Sequence, residues 1–252
     1  MNKVAVFLLG ILLVGALMLC SVSQQTSVIM EASAVELVER PRSHSSGYMP
    51  RMIMEMNSIG CKTGEEYKAL IDDWRSVNED VVGYIDIPDF EISYPVLQGE
   101  TNKTYLRTNI YKEADIAGCI FLDSNYPDIY SPVKLIHGHH MANGTMFGKI
   151  PDLLKYETLE DAPRIFYTDD LGTKEFEIFS VFSVNSEEES VIVSQYLQMD
   201  ELDSLKENYI SRSWPEAGEM PESSELMMLN TCWYGESGRE HYLHCIVVAA
   251  RV

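Results

Sequence analysis

The sequence predicts one domain that is mostly β with added helices, its strands forming a mixed, mostly antiparallel barrel. Short apolar segments rich in β-branched residues recur from residue 83 to the C-terminus, with turn residues between them. A helical pattern precedes these segments and a second one interrupts them late in the chain. A chain of 252 residues is long enough for one domain with a sizeable core and appendages.

The first element of the domain is an amphipathic helix over residues 65–77, because apolar side chains recur there at helical spacing. Strands are then predicted at 83–87, 92–97, 118–122, 133–137, 164–168, 173–184, 226–232 and 244–252. The segment Asp169-Asp170-Leu171-Gly172 is a hairpin signal between two of them. Residues 199–211 are rich in Glu, Leu and Lys, which predicts a helix that crosses between the last strand pairs.

The N-terminus predicts an appendage. Residues 4–22 are almost wholly apolar, with Lys3 before them and no acidic residue inside, so a helix there is long enough to cross a bilayer. A cleaved signal peptide is the alternative, since Ser21-Val22-Ser23 resembles a cleavage region. We expect residues 1–24 to be a membrane anchor or signal-like segment, 25–62 a tether and 63–252 the main folded domain.

The chain is strongly acidic, with 39 acidic against 19 basic residues and a formal net charge of −20. Nucleic-acid binding requires a basic face, so the charge argues against nucleic acid as a partner. An acidic surface says little about substrate, because it chiefly serves solubility.

Candidate catalytic residues lie at the ends of two apolar, strand-like segments. Cys232 ends the run 226–232, and His139 follows the run 133–136. A cysteine attacks a carbonyl as thiolate, and a nearby imidazole can take up its proton and return one to the departing amine. Arg239, seven residues past Cys232, would supply rigid donors for the oxyanion. Together these residues predict thiol-based acyl transfer.

Other interpretations of the same residues remain open. A lone cysteine at a strand end is often a small core residue, and a lone arginine is often solvated. The histidines His137, His139 and His140 could form a zinc site, although no Cys-x-x-Cys or His-x-x-x-His spacing accompanies them. We favour His139 over its neighbours because adjacent residues of a strand point to opposite faces. No metal or other cofactor is expected.

Several motifs, in order along the chain, resemble those of class B sortases. Leu229-Asn230-Thr231-Cys232 is similar to the Thr-Leu-x-Thr-Cys strand end of that family, with Met228 in place of the first Thr. Ile136-His137-Gly138-His139-His140, followed by Met146-Phe147, resembles the class B histidine segment. The segments 78–85, 92–96, 102–106 and 118–123 match the opening strands of the family. The resemblance covers about residues 65–252 and implies the sortase barrel with an N-terminal helical addition.

The resemblance also implies roles for individual residues. Cys232 is then the nucleophile, His139 the general acid/base and Arg239 the substrate-binding, oxyanion-stabilising arginine. The hydroxyl of Thr231 and backbone N–H groups after Cys232 are expected as further oxyanion donors. Counting back from the last strand puts the usual arginine position of the family on His244, which is not an arginine. Arg251 is the other arginine nearby, but it lies at the far end of that strand. We therefore favour Arg239 for this role and keep Arg251 as the alternative.

The activity implied is that of a cysteine transpeptidase. It would cleave a C-terminal sorting signal of exported proteins after Thr and transfer the acyl group to an amine of peptidoglycan precursor or of a pilin. The resemblance implies a single-pass protein of the cell membrane of a Gram-positive-type bacterium, with the catalytic domain outside. A secreted thiol hydrolase and a non-catalytic, surface-anchored binding domain are the alternatives.

Overall fold

The computed structural model describes residues 62–126, 129–185, 199–236, 238 and 242–252. The predicted anchor at 1–24 and nearly all of the predicted tether at 25–62 lie outside the described residues. Among the helices in the described ranges, none combines the length and apolarity needed to cross a bilayer.

The domain opens with helix α1 (Gly64–Val77), as predicted. Thr63 and Glu66 form a reciprocal capping box at its start, which satisfies backbone donors that the first helical turn leaves unpaired. Tyr67, Ile71 and Trp74 are buried on the inner side of α1, and this side packs outside the barrel against side chains that include Tyr84 and Phe121.

Eight strands form a closed barrel in the order β1-β2-β3-β4-β7-β8-β6-β5. The strands are β1 (Val81–Ile87), β2 (Ile92–Leu97), β3 (Ile120–Leu122), β4 (Val133–His137), β5 (Ile165–Asp169), β6 (Gly172–Asn185), β7 (Leu226–Trp233) and β8 (Leu243–Arg251). Short 3-10 helices follow β1 (Pro88–Phe90) and precede β5 (Ile150–Lys155), and helix α2 (Met199–Arg212) precedes β7. The prediction of a mostly β, mostly antiparallel barrel with added helices is therefore confirmed.

Two strand pairs are parallel, β2 with β3 and β4 with β7. In the second pair, Val133 to His137 lie beside Leu226 to Asn230 without a break in register. Both strands therefore end at the same rim of the barrel, although about ninety positions separate them in the chain. This pairing brings the predicted thiol and imidazole segments together.

Side chains alternate between the barrel interior and its outer face. In β7, Met227 and Leu229 belong to the interior core, whereas Leu226 and Met228 pack outside the barrel with residues of α2 such as Tyr209. The same period-two alternation carries on to the end of β7. The alternation determines which side chains near Cys232 lie on the same face of β7 as Cys232.

The observed element bounds agree with the predicted ones to within a residue or two. The hairpin is confirmed, since Asp169 pairs with Gly172. Strand β3 begins at Ile120 and not at Gly118, because Gly118 has a φ of +56° and a Cβ there would lie 2.4 Å from the carbonyl oxygen of Tyr105 and 2.6 Å from that of Leu106. This close backbone approach holds the loop before β3 against the barrel.

Candidate active site

Cys232 lies one residue before the end of β7 and is half-buried. By the alternation along β7, its side chain lies on the outer face together with that of Asn230. Burial raises the pKa of the Cys232 thiol, and the positive charge of Arg107 partly offsets this rise. The sulfur is therefore partly sheltered from water and lies within the field of a nearby guanidinium.

His139 lies just beyond the end of β4, at the same rim as Cys232. His137 pairs with Asn230 in the parallel ladder, so His139 and Cys232 each follow a paired position by two residues. The Nε2–H of His139 donates to the carbonyl oxygen of Leu106 at 2.8 Å. A neutral His139 thus carries its proton on Nε2 and keeps Nδ1 as an acceptor.

The loop after β4 holds the backbone of His139. The N–H of Phe147 donates to the carbonyl of His139 at 3.0 Å, and His140 and Met146 form an isolated antiparallel bridge. Met146 adopts a φ of +54°, which is uncommon for a residue with a side chain. Its N–H donates to the hydroxyl of Tyr94 at 3.0 Å, an anchor in β2 that stabilises this backbone conformation.

His140 has a different partner. Its Nδ1–H donates to the backbone carbonyl of Cys232 at 3.0 Å, and its ring stacks on Tyr234 at a centroid distance of 5.3 Å. Burial lowers the pKa of His140, while the hydrogen bond to the carbonyl acts in the opposite direction. His140 therefore links the end of β7 to the loop after β4 as a neutral ring.

A chain of hydrogen bonds runs along the outer face beside Cys232. The Nε2–H of His137 donates to Asp123 Oδ2 at 2.8 Å, and the side-chain amide of Asn230 donates to Nδ1 of His137 at 3.1 Å. The Nδ1–H of His244 in turn donates to Asn230 Oδ1 at 2.8 Å. Both ring nitrogens of His137 are thus engaged in this chain, and His137 has no nitrogen left for proton transfer.

Of the three neighbouring histidines, His139 is the one suited to acid/base chemistry at the rim. His137 is held by Asp123 and Asn230, and His140 is tied to the backbone of Cys232. Among the described residues, the side chain of His139 has one hydrogen bond, to a backbone carbonyl, which fixes its tautomer and leaves Nδ1 available. The preference for His139 over its neighbours therefore rests on hydrogen-bond partners as well as on the register of β4.

The predicted arginine, Arg239, lies outside the described residues. Arg251 lies seven positions beyond His244 in β8 and forms an ion pair with Glu225 at 2.8 Å. Because Cys232 pairs with His244, Arg251 is at the other end of the β7–β8 ladder, and the structure removes it as an alternative.

Thr231 is not placed as predicted. Its side chain is 2% exposed, and it pairs in the ladder with Cys245, which belongs to the interior core. Among the described residues its hydroxyl has no hydrogen-bond partner. Adjacent residues of a strand face opposite ways, so the Thr231 hydroxyl points into the barrel while Cys232 faces outward. The expectation that this hydroxyl supports the oxyanion is therefore corrected.

An aromatic cleft lies near the end of β7, where Trp233 packs against the interior core and so faces away from the side of Cys232. Its volume is about 430 Å³, and its lining includes Trp214, Trp233 and Leu243. The two indole rings meet edge to face at 5.0 Å, and Trp214 is 49% exposed. Exposed aromatic surface of this kind is suited to contact with a peptide chain.

The zinc alternative receives no support from the arrangement of side chains. Within the described ranges, no group of three or more His, Cys, Asp or Glu side chains is arranged to hold a metal ion.

Three residues near the rim were not predicted from the sequence as part of the site: Asp123, Asn230 and Arg107. Asp123 and Asn230 stand inside motifs that the sequence analysis used, but their pairing crosses strands and leaves no local signal.

The fold defines a class of protein, a closed β-barrel with Cys232 and His139 at one rim. Residues 85–252 match the family described as Sortase domain, and the chain belongs to the sortase family. This chain is 35% identical over 116 residues to sortase B of Listeria monocytogenes, and the match spans 46% of this chain and 47% of that protein. It is 26% identical over 192 residues to sortase B of Staphylococcus aureus, across 76% of this chain and 78% of that one.

A solved structure agrees. The crystal structure of Clostridium perfringens sortase B is 28% identical, with a TM-score of 0.63, and the match covers 72% of this chain and 98% of that one. The chain thus spans about half the length of the Listeria relative and nearly the whole of the Clostridium structure. The predicted resemblance to class B sortases is confirmed.

Proposed function

We propose that this chain cleaves a C-terminal sorting signal of exported proteins after a threonine and transfers the acyl group to an amine. The observation that supports this most is the parallel pairing of β4 with β7, which puts the segments of His139 and Cys232 at one rim. Cys232 is proposed as the nucleophile, His139 as the general acid/base, and Arg239 as an arginine that holds the peptide and the developing charge.

The chemistry proceeds in two balanced steps. The Cys232 thiolate attacks the threonine carbonyl carbon, the C–N bond breaks, and His139 gives a proton to the departing amine. The acceptor amine then attacks the thioester and gives its proton to His139, and the C–S bond breaks to regenerate the thiolate. Backbone N–H groups after Cys232 are the proposed oxyanion donors, because the Thr231 hydroxyl faces the interior.

Two classes of partner follow. Staphylococcus aureus sortase B has been solved as a complex with substrate, and a sortase B has been solved with a glycine tripeptide. For this chain we infer a sorting-signal peptide and an amine acceptor from peptidoglycan precursor or a pilin. The cleft lined by Trp214 and Trp233 offers a peptide an aromatic surface near the end of β7.

The cell envelope of a Gram-positive bacterium is the proposed location, since the Listeria and Staphylococcus relatives belong to such organisms. Residues 4–22 are proposed to anchor the chain in the membrane, with the catalytic domain outside. Fractionation of cells that produce the full chain tests this, because an anchored protein stays with membranes after a high-salt wash and a cleaved one is released.

The first experiment is mass spectrometry of a chain that begins at Gln25. It is incubated with Leu-Pro-x-Thr-Gly-like and Asn-Pro-x-Thr-like peptides and with oligoglycine or a diaminopimelate-type amine. We expect a thioester on Cys232 and an amine-capped product, both lost in Cys232→Ala. The product requires His139 as well, so it disappears in His139→Ala. The variant Cys119→Ala is the matched control, because that thiol is buried whereas Cys232 is only half-buried.

The product identifies the class of reaction. A free carboxylic acid, formed equally with and without amine, would indicate a thiol hydrolase. Absence of any adduct over the whole peptide panel, with Cys232 still open to alkylation, would favour a surface-anchored binding domain.

A further inference from the structure

A neutral side chain lies directly across from Cys232. In the β7–β8 ladder Cys232 pairs with His244, and directly opposed residues present their side chains on the same face. Burial lowers the pKa of His244, whose Nδ1–H is committed to Asn230. The cross-strand neighbour of the nucleophile therefore brings no cation to a site where negative charge develops during acyl transfer.

The loop between β2 and β3 passes beside the same rim. The carbonyl of Leu106 accepts the Nε2–H of His139 at 2.8 Å, so the backbone at 106 is in contact with the imidazole. The carbonyl of the next residue, Arg107, accepts the N–H of Asp115 at 3.0 Å. The backbone of Arg107 is thus held in place one residue from the contact with His139.

The guanidinium of Arg107 is uncommitted within the described part of the chain. The side chain is exposed and forms no ion pair or side-chain hydrogen bond with a described residue. By contrast, Arg75 forms an ion pair with Asp170 at 2.7 Å, and Arg251 forms one with Glu225 at 2.8 Å. The charge of Arg107 reaches the Cys232 sulfur strongly enough to oppose the effect of burial on the pKa of the thiol.

We propose that Arg107, on the loop between β2 and β3, is a cationic residue of the Cys232 site that stabilises the thiolate and contacts the acyl oxygen of the bound peptide. The contact with the acyl oxygen rests on the proposed transpeptidase function, whereas stabilisation of the thiolate does not. Arg107 has an always-charged, rigid fork of donors, which suits both an anionic sulfur and a carbonyl oxygen. Its contribution would add to that of any arginine after β7.

The test measures the pH dependence of Cys232 alkylation by iodoacetamide in the full chain, held in detergent micelles, with the modified cysteine identified by peptide mass spectrometry. Arg107→Gln is compared with Arg107→Lys and with Lys103→Gln, an exposed cation of the same loop. We expect Arg107→Gln to raise the midpoint by about half a pH unit and to slow alkylation below the midpoint about threefold. Arg107→Lys should retain most of the wild-type profile, and Lys103→Gln should match it.

A profile of Arg107→Gln that coincides with wild type and with Lys103→Gln would overturn the proposal. So would a shift seen in Arg239→Gln alone, measured in parallel. The peptide assay then tests the contact with the acyl oxygen: Arg107→Gln should lower kcat/KM, with partial rescue by lysine. If wild type transfers no peptide, the transpeptidase assignment fails, while the alkylation profile still decides whether Arg107 acts on the thiol.

Discussion

His137, His139 and His140 lie within four positions of one another, but their ring nitrogens have different partners. His137 bonds to Asp123 and Asn230, His140 to the carbonyl of Cys232, and His139 to the carbonyl of Leu106. The hydrogen bonds therefore give His137 and His140 structural partners and leave His139 as the ring that we propose for proton transfer. The three histidines of this motif are therefore distinguished by their hydrogen-bond partners.

Replacement of Asn230 by Ala tests the hydrogen-bond chain at the scale of a residue. The change leaves Nδ1 of His137 without its donor and Nδ1–H of His244 without its acceptor, both in part-buried surroundings. We expect the free energy of unfolding in urea to fall by about 1–3 kcal/mol. In a double-mutant cycle with His244→Ala, the combined loss should be smaller than the sum. Strict additivity would show that the two side chains do not act as a unit.

The ends of elements, and not their interiors, build the rim. Gly138 links β4 to His139, and its N–H donates to the carbonyl of Asn230 at 3.1 Å, which extends the parallel β4–β7 ladder. The backbone there lies so close to the core that a Cβ on Gly138 would be 2.4 Å from Cδ1 of Ile120 and 2.6 Å from Cδ2 of Phe147. The position of His139 therefore depends on the absence of a side chain at the preceding residue.

Gly138→Ala should be destabilising for this reason. The added methyl overpacks a closed core, and we expect a loss of about 1–3 kcal/mol, visible as a lower Tm, together with reduced transpeptidation as His139 moves. Gly64→Ala is the matched control, because a Cβ there meets only Thr173 Oγ1 at 3.4 Å. Equal Tm values for both variants would contradict the steric account.

Glu225 ties three strands together just before β7. Its carboxylate accepts from Lys174 of β6 and Arg251 of β8, each at 2.8 Å. Burial raises the pKa of Glu225, but the hydrogen bonds from these two cations outweigh it, and the net pKa is below the ordinary 4.5. A lowered pKa means stability that is present above pH 4.5 and is lost as pH falls through the lower folded-state value.

Glu225→Gln should therefore lower the free energy of unfolding by about 1 kcal/mol at pH 7, a size expected for a partly exposed pair of ion pairs. The difference from wild type should shrink as the pH is lowered below 4.5. Urea unfolding at a series of pH values measures this difference in the free energy of unfolding. Glu222→Gln is the control, since that exposed carboxylate has no ion pair among the described residues. A constant difference across the series would show that the charge of Glu225 is not the cause.

At the scale of the whole molecule, a net charge of −20 opposes the compact state through self-repulsion. Salt screens charges separated by more than about 10 Å at 0.1 M. We expect the Tm of a chain that begins at Gln25 to rise when NaCl increases from about 0.05 M to about 0.5 M, by more at pH 7 than near pH 4.5, where part of the acidic charge is neutralised. A Tm that falls with salt would mean that attractive ion pairs outweigh the repulsion.

Local patterns predicted the elements well. The periodicity of residues 65–77 and the alternating apolar segments indicated α1 and each strand to within a residue or two, because secondary structure follows side-chain periodicity. The motif at Cys232 was also recognisable, since it is contiguous in the sequence. Thr231 was assigned wrongly because its neighbour defined the motif, while the alternation of a strand turned its hydroxyl into the core.

By itself, therefore, the sequence determined the family, the order of elements, the acidic character and the motif that contains Cys232, all of which depend on local or contiguous patterns. The tertiary structure alone decided which other groups join His139 and Cys232 at the rim. His139, His244 and Arg107 come from three distant segments, and the parallel β4–β7 pairing, the β7–β8 register and the loop held beside Gly118 bring them together. Contacts of that kind depend on strand pairing across long sequence separations, for which a single chain carries no local signal.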